Sequence, residues 1–329
     1  MAAGFIIWTV VLAVGVIFLV KGADLLVDGG SKTAAYLGVP ALVIGLTLIS
    51  FGTSLPELAS SLNAVFKGRS GISIGNVIGS NVANILLVLG ISSIIKPISI
   101  DTGVIKREIP IMFGAMALLV IVSTGLSINR LEGVVLLIGF VAYLAFFRWV
   151  AKVEGEKEVL EVLEADLEPE ERIEAEKRRS KELKINVAKL ILGLGGVVLG
   201  AELMIRAAVF YIQEFQLSEG LVGLTIIALA TSLPELAASS VAAYKEESDI
   251  SIGNVLGSNT FNILMVLGVC ALFLPITFTK EIIPNMMIMI AVSIAFTVFV
   301  YTGRKLGRLE GILMTAGYFL YLFYLYAGR

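Results

Sequence analysis

Apolar residues along this chain gather into runs of about 20 or more, the length a helix needs to cross hydrocarbon, separated by short charged or turn-rich breaks. The runs predict ten spans, at roughly 5–28, 39–65, 71–95, 109–126, 131–150, 187–210, 217–243, 250–274, 283–302 and 308–327. The second, third, seventh and eighth are diluted with Gly, Ser and Asn, which leaves their ends soft by several residues. Between the two groups of five lies residues 151–186, holding 12 of the chain's 27 acidic residues and 8 of its 25 basic ones. That density reads as a solvated, helical connector too short for a core of its own.

The polar positions repeat. "TSLPELA" occurs at 53–59 and again at 231–237, and the offset of 178 then holds without a gap. "ISIGNV" at 72–77 returns at 250–255, Gly79, Ser80 and Asn81 return as Gly257, Ser258 and Asn259, and Asn84 falls on Asn262. Pro97 matches Pro275, "RLEG" at 130–133 matches 308–311, and Asp24 maps onto Glu202. The chain therefore reads as two homologous halves, 1–150 and 187–329, joined by the connector. Five spans per half force the second copy to insert upside down. The predicted class is an all-α integral membrane protein of ten transmembrane helices in two inverted five-helix repeats, a plan that places binding sites near the midplane between the repeats. Residues 9–20 resemble a signal-peptide core, but they align with the start of the sixth span and so read as part of the first.

Composition narrows the chemistry. At 57% hydrophobic residues and a mean hydropathy of +0.93, the solvent to reason against is lipid. A single cysteine allows no intrachain disulfide, and the absence of histidine removes the commonest transition-metal ligand and the usual proton shuttle. A net charge of −2 argues against a nucleic-acid partner. Alternating the spans from the connector puts 19 basic residues on its side and six on the other, or 11 against six without the connector itself. That bias places the connector in the cytoplasm and both termini outside the cell membrane.

Pro56 and Glu57 fall just past the middle of the second span. Inside a helix, proline removes the bond to the carbonyl of Gly52 and costs about 3 kcal/mol; Pro234 does the same to Ala230. A glutamate at the bilayer centre costs roughly 2.5–3.5 kcal/mol without a partner, and no Lys or Arg lies at that depth. A cation is the partner this pattern asks for. Thr53 and Ser54 share a helix face with Glu57, and Asn76, Ser80 and Asn84 form an i, i+4, i+8 stripe. Thr231, Ser232, Glu235, Asn254, Ser258 and Asn262 repeat both patterns. Two carboxylates, hydroxyls, amide oxygens and freed carbonyls suit Ca²⁺, Na⁺ or, less well, Mg²⁺. Asn76 and Asn254 read equally as ligands or interhelical glue, and Asn81 and Asn259 point away from the stripe toward packing or a cavity wall. Gly75 with Gly79, and Gly253 with Gly257, read as small-residue packing pairs, and Asp24 and Glu202 as interfacial.

These motifs resemble the α-repeats of the cation/Ca²⁺ antiporter superfamily, in its prokaryotic Na⁺/Ca²⁺ exchanger branch: "GTSLPE" at 52–57 with "GNVIGSNVAN" at 75–84, and "ATSLPE" at 230–235 with "GNVLGSNTFN" at 253–262. The resemblance implies an alternating-access antiporter, not an enzyme, with no cofactor, in which spans 1 and 6 slide against the other eight. It implies that Glu57, Glu235, Thr53 and Thr231 surround Ca²⁺. Ser54, Ser80, Asn84, Ser232, Ser258 and Asn262, with backbone carbonyls near Ser50 and Ala228, would complete the Na⁺ sites. It implies electrogenic exchange of three Na⁺ for one Ca²⁺. K⁺-dependent relatives, and some prokaryotic exchangers, carry Asp at the position of Asn262; with Asn there and only two carboxylates, the pattern disfavours K⁺ co-transport. The H⁺/Ca²⁺ branch carries "GNxxE", where this chain has Gly79 and Gly257. H⁺/Ca²⁺ antiport is the runner-up, and a passive Ca²⁺ channel a more distant alternative.

Overall fold

The computed structural model describes residues 2–163, 169–214 and 229–327. Ala228 and the start of the seventh predicted span lie outside the described residues. Helices dominate: α1 (Ala2–Leu37), α2 (Ala41–Phe66), α3 (Ser70–Ile95), α4 (Ile109–Val122), α5 (Arg130–Leu163), α6 (Pro169–Glu214), α7 (Leu233–Tyr244), α8 (Ser248–Phe273), α9 (Ile282–Gly303) and α10 (Arg308–Ala327). Among the described residues, eight are long and apolar enough to cross a membrane. The helix α4 is not one of the eight; a five-residue π-helical turn, Val104–Glu108, precedes it. Helices α1 and α6 run well past the predicted limits of 5–28 and 187–210, and Lys189 of α6 pairs with Asp28 of α1 at 2.6 Å.

Helices α1 and α6 lie antiparallel along much of their length. Glycine makes this possible: a Cβ on Gly22 would sit 2.5 Å from the Val197 nitrogen, and one on Gly193 would sit 2.4 Å from the Leu26 nitrogen. Small residues let backbones approach where lipid supplies no hydrophobic drive between helices. Only 11% of the most apolar window of α1 is buried, against 78% for α3 and 89% for α8. The α1–α6 pair is therefore peripheral, while α3 and α8 form the centre. Exposed side chains such as Leu131 and Leu192 belong to a surface suited to lipid rather than water.

Two short ladders tie the halves together. β1 (Ile98–Ser99) pairs antiparallel with β4 (Lys305–Leu306), and β2 (Ser127–Ile128) pairs with β3 (Ile276–Thr277). Each joins a loop of the first half to a loop of the second. The α2–α8 contact is the close one near the centre. A Cβ on Gly253 would lie 2.8 Å from the Leu42 carbonyl oxygen, and one on Gly257 would lie 2.5 Å from Ser50 Oγ. That is the packing role expected of this glycine pair, whereas at the first pair a Cβ on Gly75 would meet only Ile282 Cδ1, at 3.9 Å. Part of α2 there, Gly45–Ile49, is π-helical. The Leu46 carbonyl accepts the Ser50 hydroxyl at 2.7 Å and the Tyr143 hydroxyl of α5 at 2.9 Å, so the irregular backbone stays satisfied away from water.

Candidate functional site

The backbone at the two "TSLPE" copies differs from a kinked continuous helix. Ser54 leaves helical geometry (φ −84°, ψ 2°), and α2 restarts at Leu55 with Pro56 in the first turn of the new segment. Ser232 does the same (φ −87°, ψ 3°) ahead of Pro234 at the start of α7. The expected interior proline is thus an N-terminal one, where the missing N–H breaks no helical bond and the interior penalty does not apply. Glu57 and Glu235 consequently occupy first helical turns, whose free N–H groups and dipole favour a carboxylate.

Both glutamates are fully enclosed. Ser80 on α3 donates to Glu57 Oε1 at 3.3 Å, and Ser258 on α8 donates to Glu235 Oε1 at 3.3 Å. The Ser54 hydroxyl reaches from the first half to Glu235 Oε1 at 3.4 Å. Thr53 Oγ1 lies 3.1 Å from Asn254 Oδ1, to which it donates, and 3.3 Å from Ser258 Oγ. Thr231 stands beside Glu57 and Thr53 beside Glu235, so each carboxylate neighbours the other half's threonine. The second oxygen of each carboxylate, Oε2, has no donor. No Lys or Arg pairs with either glutamate among the described residues.

The asparagines fall into two layers. Asn76 donates to Ser61 Oγ at 3.1 Å and to the Glu57 carbonyl at 3.4 Å. Asn254 repeats this with Ser239 Oγ at 2.9 Å and the Glu235 carbonyl at 3.4 Å. These bonds brace each glutamate's backbone, so the interhelical reading of this pair holds for the nitrogens. The oxygens differ, since Asn76 Oδ1 has no donor whereas Asn254 Oδ1 accepts from Thr53. Deeper along α3 and α8, Asn84 and Asn262 open π-helical turns at Asn84–Val88 and Asn262–Val266. Such bulges recur at functional sites because they re-aim side chains. Both Asn84 Oδ1 and Asn262 Oδ1 are buried without a donor. An unpartnered buried oxygen costs about 1–3 kcal/mol, and here at least five of them occur within α2, α3, α7 and α8.

Of the predicted ligands, the structure brings Glu57, Glu235, Thr53, Thr231, Ser54, Ser80 and Ser258 into one buried cluster. Ser232 is buried with its hydroxyl unpartnered, and Asn84 and Asn262 lie about one helical turn beyond Ser80 and Ser258 on the same helices. The Ser50 carbonyl already accepts the Ser54 N–H at 3.0 Å, and the Ser50 hydroxyl donates to the Leu46 carbonyl at 2.7 Å. Sequence reasoning gave no role to Ser61 and Ser239, although both recur at the 178-residue offset and could have been found that way. Asp24 and Glu202 lie outside the cluster. Asp24 pairs with Lys245 at 2.7 Å, and Glu202 with Arg206 at 2.6 Å.

Among the described residues no group of three or more His, Cys, Asp and Glu occurs. A cation in this cluster would meet two carboxylates and otherwise neutral oxygens, a donor set for hard ions.

The comparisons with known proteins agree in direction. The family described as "Sodium/calcium exchanger protein" matches residues 7–149 and 185–327. The chain is 34% identical to a putative antiporter, CaxA, of Alkalimonas amylolytica over 97% of its own length and 98% of the relative's. It is 31% identical to the sodium/calcium exchanger MaX1 of Methanosarcina acetivorans, over 96% and 97% of the two chains. A solved structure of the sodium-calcium exchanger NCX_Mj superposes with a TM-score of 0.81 at 34% identity, covering 96% of this chain and 98% of that one. With both halves matched and the duplicated buried glutamates in place, the chain belongs to the sodium/calcium exchanger protein family.

Proposed function

We propose that this chain is a secondary active antiporter that exchanges Na⁺ for Ca²⁺ across the cell membrane by alternating access. The observation that carries the reading is the pair Glu57 and Glu235. Both are fully buried, each has a carboxylate oxygen without a donor, and neither has a basic partner among the described residues. Two carboxylates neutralise one Ca²⁺, while the surrounding hydroxyl and amide oxygens suit Na⁺ in its place. Competition for the same oxygens is what couples the two fluxes.

In this reading the cargo site comprises Glu57, Glu235, Thr53, Thr231, Ser54, Ser232, Ser80, Ser258, Asn84 and Asn262, with carbonyls near Ser50 and Ala228. The chain crosses the membrane ten times as two inverted five-helix repeats, 1–150 and 187–329. The recurrence of the π-helical turns at Asn84 and Asn262, and of the breaks at Ser54 and Ser232, supports that plan. The connector 151–186 lies in the cytoplasm and the termini outside, as the 19-to-6 bias of basic residues favours. The peripheral α1–α6 pair, with its glycine seam, is suited to move as one body against the remaining helices. Exchange that moves more than two Na⁺ per Ca²⁺ is electrogenic.

Proton coupling is the second reading, favoured by the same two carboxylates, since a proton can replace a cation on each. Against it, a glutamate at position 257 has no room: even its Cβ would lie 2.5 Å from Ser50 Oγ and 2.7 Å from the Leu46 carbonyl oxygen. Proteoliposomes loaded with Na⁺ and diluted into Na⁺-free medium should take up Ca²⁺. Absence of uptake from protein that is folded would contradict the proposal.

A further inference from the structure

Four buried asparagines, two from each half, form a closed network beside the glutamate cluster. Asn81 donates from Nδ2 to the Asn259 backbone carbonyl at 3.2 Å, and Asn259 donates from Nδ2 to the Asn81 carbonyl at 3.5 Å. Each NH₂ group also faces a methionine sulfur, Met289 Sδ at 3.7 Å and Met112 Sδ at 3.9 Å respectively. The opposite ends of the same side chains are acceptors. Asn262 Nδ2 donates to Asn81 Oδ1 at 3.2 Å, and Asn84 Nδ2 donates to Asn259 Oδ1 at 3.1 Å.

The polarity of this network is fixed by groups that cannot turn over. A backbone carbonyl only accepts, so it holds the NH₂ end of Asn81 or Asn259 against it. That leaves Oδ1 at the other end, which only a donor can face. Asn262 and Asn84 must then offer their NH₂ groups, and their own oxygens, which lack donors, are turned away from the network. A carboxamide is nearly symmetric in shape but opposite in charge at its two ends, so without such a constraint half its orientations would present N–H groups to a cation. We propose that Asn81 and Asn259 are positioning residues: they fix the amides of Asn262 and Asn84, each in the opposite half of the chain, so that oxygen faces the transported Na⁺. The inference rests on the Na⁺/Ca²⁺ reading above and assigns Asn81 and Asn259 a role other than packing or forming a cavity wall. Their hydrogen bonds cross between halves, which makes each half's ligand geometry depend on the other.

The test is a double-mutant cycle on the full chain in proteoliposomes, reading the Na⁺ concentration that half-saturates Ca²⁺ efflux, with thermal unfolding in detergent as the check on folding. Asn259→Ala should raise half-saturating Na⁺ by roughly tenfold or more, the usual scale for losing a group that orients a metal ligand. A carboxylate presents oxygen in either orientation, so it needs no such support. In the Asn84→Asp background the carboxylate also faces Asn259 Oδ1 with an acceptor, so adding Asn259→Ala should leave half-saturating Na⁺ unchanged or lower it relative to Asn84→Asp alone. An equal loss in both backgrounds would mean that Asn259 acts only through packing, and would overturn the inference while leaving the cargo reading intact. Wild-type efflux that ignores Na⁺ would overturn the cargo reading and the inference with it. If Asn259→Ala does not fold, Asn81→Ala with Asn262→Asp runs the same cycle from the other half, with the same two outcomes.

Discussion

The Ser54 hydroxyl donates to Glu235 Oε1 at 3.4 Å although 181 residues separate them along the chain. The contact makes one cluster out of two sequence copies, so removing either glutamate should disable the whole rather than half. Glu57→Gln and Glu235→Gln keep the volume but remove a charge and an acceptor. Each should weaken Ca²⁺ binding by about 3–5 kcal/mol, which is a hundredfold or more, because the cation loses a buried counter-charge. Thermal unfolding without cation should be unchanged or raised, since burying a carboxylate is itself costly. Binding calorimetry beside a melting curve separates the two effects. Ordinary Ca²⁺ binding by both variants would remove the glutamates from the site.

Asn262→Asp replaces a donor facing Asn81 Oδ1 at 3.2 Å with an acceptor and adds a third carboxylate. The added charge favours a divalent ion over a monovalent one. Ca²⁺ should bind more tightly, and more Na⁺ should be needed to displace it. Competition of Na⁺ against bound Ca²⁺ measures this directly; an unchanged competition curve would place Asn262 outside the site.

How far the sequence reached depends on the range of the forces involved. Span limits such as 71–95 and 308–327 match helices Ser70–Ile95 and Arg308–Ala327, because hydrophobic length is a local property. The buried Glu57 and Glu235 were legible for the same reason, as charges set in apolar runs. The restart at Leu55 is not legible, because Pro56 is compatible with either an interior kink or a helix start, and only the turn at Ser54 decides between them. The π-helical turns at Asn84 and Asn262, and the bonds of Asn81 to Asn259 and Asn262, depend on partners in the other half, about which local periodicity says nothing.

The glycine seam makes a sharp contrast within one helix. A Cβ on Gly193 would meet the Leu26 nitrogen at 2.4 Å, and one on Gly200 the Leu19 nitrogen at 2.4 Å, whereas one on Gly195 meets nothing within 4 Å. Gly193→Ala and Gly200→Ala should each cost about 1–3 kcal/mol by forcing α1 and α6 apart. Gly195→Ala should be neutral or slightly stabilising, since alanine is the better helix former. Thermal melts in detergent of the three variants provide the check.

At the end of α1 nearest Lys189, the Lys245 ammonium lies 2.7 Å from Asp24 Oδ1 and 3.1 Å from the Asp24 carbonyl oxygen, and Ser31 donates to Glu247 at 2.6 Å. These contacts hold α1 to the loop between α7 and α8. At the other end, Glu202 is paired with Arg206 of its own helix. Lys245→Ala should loosen the first end, raising its opening equilibrium by about 1 kcal/mol or roughly fivefold, the scale of a half-exposed pair. Hydrogen–deuterium exchange over residues 24–32 and 245–251 should quicken accordingly, while the segment around Glu202 should not change.

Counter-ion dependence tests the central claim most directly. Vesicles holding the purified chain and loaded with Ca²⁺ should release it on addition of external Na⁺ at equal pH on both sides. They should retain it when an inward proton gradient is imposed without Na⁺. Release driven by the pH gradient alone, with no response to Na⁺, would contradict Na⁺/Ca²⁺ exchange.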